Sequence, residues 1–149
     1  MIKIIHPVAG AVAILTIATF WHSTALSELF GSTATIVAVK YAVPWGFLLL
    51  VPGLATAGGS GFALAMGRQS GLVAGKIKRM QVTATNGILV LIPSALFLAS
   101  KARAAEFDTV FYAVQALELA AGAANIALLG FNMRDGFRIK GRFKRRLPK

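Results

Sequence analysis

Four long apolar runs divide this chain: Pro7–Phe30, Ile36–Met66, Val82–Ala99 and Thr109–Met133. Nearly all of its charge lies outside them. Arg68, Lys76, Lys78 and Arg79 fall between the second and third runs. Lys101, Arg103, Glu106 and Asp108 precede the fourth, and a tail from Arg134 to Lys149 follows it. A hydrocarbon core of about 30 Å is crossed by about 20 apolar residues in a helix, so each run predicts a transmembrane helix. Barrel strands would alternate polar and apolar positions, which these runs do not. Short connections predict an all-α, integral membrane four-helix bundle in up-down-up-down order. It occupies residues 1–133, with residues 134–149 as a basic cytoplasmic tail.

The runs differ in regularity. The first is expected to start with Pro7 in its first turn, where a missing N–H costs little, and to stop at Gly31. The second, at 31 residues, measures roughly 46 Å as a helix. Pro44, Pro52-Gly53 and Gly58-Gly59-Ser60-Gly61 predict kinks or a break near its inner end. The third contains Pro93 and opens with Thr83, Thr85 and Asn86. The fourth is alanine-rich, and Ala116, Ala120 and Ala124 recur at a spacing that permits close helix approach.

Composition supports a membrane protein: 56% hydrophobic, 14% charged, with a mean hydropathy of +0.70. Cysteine is absent, which removes disulfide and thiolate chemistry. A net charge of +11 in a soluble chain would suggest nucleic acid; its distribution here points to lipid. Lys3, four basic residues of the second connection and eight of the tail account for 13 of the 16 Lys and Arg. If the termini share a face, all 13 lie on it. By the positive-inside rule that face is cytoplasmic, in a bacterial inner membrane. Trp21, Tyr41, Trp45 and Tyr112 map to the outer half, where aromatic rings favour the headgroup boundary. A cleavable signal peptide, with Lys3, an apolar Val8–Trp21 and Ser23-Thr24-Ala25, competes for the first run. It is disfavoured because the apolar character continues through Leu26, Leu29 and Phe30.

Candidate chemistry rests on polar residues inside the runs, which are costly in lipid. Lys40 and Glu118, with Gln115 one turn before Glu118, match in depth in the outer half and predict an ion pair. The competing expectation is that Lys40 snorkels to the headgroups. Asn86 and Asn125 match in depth nearer the inner side and predict an interhelical hydrogen bond. His6 and His22 are the two histidines, 16 residues apart. That is about 24 Å of rise and about 160° of rotation, so they do not share a face. A b-type haem takes axial ligands from facing helices. His22, the deeper candidate for haem iron, would need its mate in a homodimer. His6 would need Met66, Met80 or Met133. The basic tail, Gly136 to Leu147, interleaves charge with apolar residues and reads as a patch on an anionic leaflet. No nucleophile–base constellation or phosphate loop is present, and nucleic acid is not expected as a partner.

His6-Pro7-Val8-Ala9-Gly10, Phe20-Trp21-His22-Ser23-Thr24 and Leu129-Gly130-Phe131-Asn132-Met133-Arg134-Asp135-Gly136 resemble segments of small uncharacterised bacterial four-span membrane proteins. The resemblance covers most of the chain. It implies the topology and carries over no functional residue. The bundle is also similar in size to four-helix membrane cytochromes, which draw histidines from more than one helix. Two function classes therefore stand. One is a haem-binding electron-transfer protein acting as a homodimer. The other is a non-enzymatic membrane component, a scaffold subunit or small permeation protein organised around Lys40 and Glu118.

Overall fold

The computed structural model describes residues 1–65 and 71–145, apart from the side chains of Lys3 and of residues 139–145. Met66, Arg68 and the end of the basic tail lie outside the described residues. The chain is 93% helical without strands among them. Its four helices are α1 (Ile2–Phe30), α2 (Thr33–Ala65), α3 (Leu72–Arg103) and α4 (Thr109–Arg145). Each is long and apolar enough to cross a membrane. Contacts fix the antiparallel order: His6 near the start of α1 meets Ala57 near the end of α2, and Arg79 early in α3 meets Asn132 late in α4.

The distribution of side chains is that of a membrane protein. Leu15, Leu26, Trp45, Leu48, Ile88 and Leu89 are exposed, whereas Lys40, Asn125, Gln115 and Asp135 are buried. In lipid, polar groups must find partners inside the bundle. Two apolar clusters separate them. One is built on Ala13, Ile17, Leu50 and Leu129, the other on Ile36, Leu98, Ala102 and Phe111.

Several boundaries differ from those expected. α1 begins at Ile2, so Pro7 lies inside it rather than in its first turn. It ends at Gly31, whose N–H bonds the Ser27 carbonyl. α2 runs unbroken through Pro44, Pro52 and Gly58–Gly61. Each proline removes one helical donor and so one bond to the carbonyl four residues earlier, and the helix continues on either side of it. α4 passes Met133 without interruption, so the tail starts as more helix. The alanine stripe Ala116, Ala120 and Ala124 faces outward.

α3 contains a π-helical segment, Gly87–Leu91, in which the Ile92 N–H bonds the Gly87 carbonyl five residues back. Pro93 follows at once. In a plain α-helix its ring would press on the Leu89 carbonyl, and the widened turn accommodates it. α3 ends in a Schellman arrangement: the Glu106 N–H bonds the Lys101 carbonyl and the Ala105 N–H bonds the Ala102 carbonyl. Ala105 takes φ 56°, a left-handed conformation usually given to glycine.

Candidate functional site

α4 carries the polar interior. Glu118, Asn125 and Asn132 are spaced by seven residues, which returns them to one face after two turns. Each meets a partner at a different depth.

The layer toward the α1–α2 and α3–α4 turns is ionic. Lys40 Nζ donates to Glu118 Oε2 at 2.8 Å, and Lys40 is 1% exposed. The snorkelling alternative is therefore overturned. Gln115 Nε2 donates to the same oxygen at 3.3 Å. Glu28, on α1, lies within coulombic reach of both Lys40 and Glu118. Among the described residues only Glu118 is within ion-pair distance of the Lys40 ammonium. Glu28 Oε1 and Gln115 Oε1 are buried without a hydrogen-bond partner. Glu28 is not among the residues that hydropathy and depth single out. The signal available was its phase: Ile17, Trp21, Thr24 and Glu28 follow the spacing of one helix face.

Beneath the ion pair lies a cavity of about 60 Å³, walled by Phe20, Trp21, Phe47, Leu91 and Ala95 among others, with Glu118 its one ionisable lining residue among those described. Trp21 donates its indole N–H to the Leu119 carbonyl at 2.9 Å. A Cβ at Gly122 would stand 3.0 Å from Trp21 Cδ1, so the glycine makes room for the ring. Trp21 is thus a packing residue between α1 and α4 rather than a headgroup anchor. Tyr41, Trp45 and Tyr112 are exposed, as expected of such anchors.

The middle layer is the predicted amide pair. Asn86 Nδ2 donates to Asn125 Oδ1 at 2.8 Å and to the Ala121 carbonyl at 3.0 Å. Asn125 Nδ2 in turn reaches the Thr83 carbonyl at 3.2 Å. This layer ties α3 to α4.

The layer at the opposite end of the bundle was not foreseen. Arg79 Nε donates to Asn132 Oδ1 at 2.8 Å, and its guanidinium pairs with Asp135. Asn132 Nδ2 bonds the Lys76 carbonyl. The basic residues between the second and third runs read as a solvated connection, but Lys76, Lys78 and Arg79 are helical. The apolar run begins only at Val82, so hydropathy gave no sign of the preceding turns.

The histidines do not form one site. His6 Nδ1 donates to the Ala57 carbonyl at 3.0 Å and lies 3.1 Å from Ser60 Oγ. Its ring packs against Gly61, where a Cβ would approach Cε1 to 2.9 Å. His22 is exposed, and its Nδ1 bonds the Ala18 carbonyl of its own helix at 2.7 Å. Of the methionines proposed for His6, Met80 reaches Gly58, Met133 is exposed and Met66 lies outside the described residues. The residues of one subunit therefore do not fit a six-coordinate haem: neither histidine is given a second axial ligand among those described.

The fold and its polar layers define an integral membrane four-helix bundle. Compared with known proteins, the chain matches no family model, no curated protein and no solved structure.

Proposed function

We propose that this protein is a non-enzymatic small permeation protein that carries a proton or a small cation through the Lys40–Glu118 site. The observation that carries the reading is the buried ion pair itself: Lys40 Nζ meets Glu118 Oε2 inside the bundle, and a second carboxylate, Glu28, keeps a buried Oε1 without a partner nearby on α1. A buried group without a counter-charge tends to neutralise by changing its protonation. A cluster with one carboxylate in excess favours one further positive charge, and alternation between occupied and empty forms is what a carrier requires. The charge asymmetry supports an orientation with both termini cytoplasmic in a bacterial inner membrane. The test is flux in proteoliposomes holding a pH-sensitive dye. Wild-type protein should dissipate an imposed proton gradient faster than empty liposomes, and Glu118→Gln should not. Equal rates in all three would end this reading.

A second reading keeps the histidine. His22 faces outward with Nε2 uncommitted, and the outward alanine stripe of α4 has the composition of a helix-pairing face. A homodimer that set two His22 rings opposite each other would supply bis-imidazole ligation of haem b. A Soret band in protein purified from haem-replete cells, lost in His22→Ala, would support it; a colourless preparation would dispose of it.

A further inference from the structure

We propose that the cavity beneath the Lys40–Glu118 pair is a binding site for a short alkylammonium ion, of about the size of ethylammonium, with Glu118 as its counter-charge. The inference rests on the cation-carrying reading above and names the class of cation. Three observations carry it. The first is the state of the Glu118 carboxylate. Lys40 and Gln115 both bond Oε2, and Oε1 makes no hydrogen bond among the described residues. Glu118 lines the cavity and is the one side chain there, among the described residues, that can counter the charge of a cation.

The second observation is the wall. Phe20, Trp21 and Phe47 line the space together with aliphatic side chains. A bare metal ion needs several oxygen ligands, and apart from Glu118 the wall offers only the hydroxyl of Thr24. Aromatic faces attract organic cations, and an alkyl tail gains from leaving water. The volume of about 60 Å³ exceeds the roughly 15 Å³ that one water needs and falls short of the roughly 150 Å³ of a cavity that takes benzene. A primary amine with a short chain fits between these limits.

The third observation is a place for Lys40 to go. Glu28 Oε1 is buried and unpartnered, and Gln115, 3% exposed, keeps an unpartnered Oε1 beside Glu118. When the ligand's ammonium takes Glu118, the Lys40 ammonium turns toward Glu28. Two carboxylates then hold two cations and the layer is neutral.

The experiment uses the full chain in lipid nanodiscs. Trp45 is exposed and away from the cavity, so Trp45→Phe leaves Trp21 as the one indole. Ethylammonium chloride is titrated while Trp21 emission and calorimetric heat are followed. Sodium chloride, 1-propanol and tetraethylammonium chloride serve as controls for ionic strength, a neutral tail and excess size. The expected result is saturable binding of ethylammonium alone. Affinity should fall by about tenfold or more in Glu118→Gln, the loss expected for one hydrogen bond to a charged group. Ala95→Leu fills the cavity from the wall without touching the ion pair and should abolish binding. Helical circular dichroism and a monodisperse elution peak verify that each variant is folded. If Glu118→Gln fails this check, Ala95→Leu and the size controls decide. Absence of both signals in wild type, an unsaturable response, or equal binding of tetraethylammonium would overturn the proposal. Proton flux in proteoliposomes without ethylammonium binding would sink this inference and leave the carrier reading standing.

Discussion

The ammonium of Lys40 and the carboxylate of Glu118 meet at 2.8 Å between α2 and α4, with Lys40 almost wholly withdrawn from the surface. Removing one partner from such a pair strands the other, at a cost of about 3–5 kcal/mol. Lys40→Met should therefore lower the melting temperature in detergent sharply. Lys40→Met combined with Glu118→Gln should recover part of the loss. Simple addition of the two single effects in this double-mutant cycle would show that the residues are not coupled.

The Arg79–Asp135 pair should respond asymmetrically. Asp135 has a side-chain exposure of 4%, Arg79 one of 27%. Arg79→Gln leaves a buried carboxylate with only Arg134 Nε, at 3.7 Å, within ion-pair distance among the described residues. Asp135→Asn leaves a guanidinium that can turn toward the interface. Arg79→Gln should cost about 1–2 kcal/mol more than Asp135→Asn in denaturation. Equal losses would mean that burial of Asp135 is not what sets the cost.

Asp108 gives the α3–α4 turn a pH dependence. Its carboxylate accepts from Lys101 Nζ at 2.7 Å and caps α4 by accepting from the Phe111 N–H at 2.8 Å. The Lys101 ammonium first, and the backbone bond second, hold its carboxyl below the ordinary value. A depressed carboxyl stabilises the fold above its unfolded pKa, and that contribution disappears as pH falls through the folded one. The melting temperature of Asp108→Ala should trail wild type at neutral pH, with the gap narrowing once pH drops below about 4. A gap unchanged down to pH 2 would count against this assignment.

Ala105 should be improvable. Its left-handed φ of 56° costs a side chain about 1 kcal/mol, partly offset by the freedom glycine has when unfolded. Ala105→Gly should raise stability by some tenths to about 1 kcal/mol. A decrease would mean that the alanine methyl contributes packing that outweighs the strain.

The sequence made the bundle legible because hydropathy reports directly on lipid exposure. Its matched depths also anticipated Lys40 with Glu118 and Asn86 with Asn125, since depth along a span is a matter of counting residues. What it obscured was direction around each helix. Ala116, Ala120 and Ala124 looked like a packing seam, yet the face turned inward carries Gln115, Glu118, Gly122 and Asn125. In lipid an apolar stripe has no preference for the interior, and polarity rather than hydrophobicity marks the core. Trp21 and the Arg79–Asp135 pair were misplaced for that reason: depth suggested an interface, and only helical phase reveals that the side chain points inward.

The widened turn at Gly87–Leu91 also sets the rotational phase of α3. Thr83 and Asn86 on one side of it, and Ser94, Ala95, Leu98, Ala99 and Ala102 on the other, all turn to the bundle. At about 100° per residue, an uninterrupted α-helix would leave the centres of these two groups about 120° apart. One residue taken up in the wide turn withdraws about 100° of that difference, so both halves can face inward. The segment thus holds a surplus residue in the manner of a spacer. Deleting Ile88, with Pro93→Ala to relieve the ring, should leave a folded bundle whose cavity and ion pair persist. Deleting Leu15 from α1 should rotate Thr24 and Glu28 out of register with α4 and abolish folding. Tolerance of chain shortening is therefore concentrated at the one place where the helix departs from regular geometry.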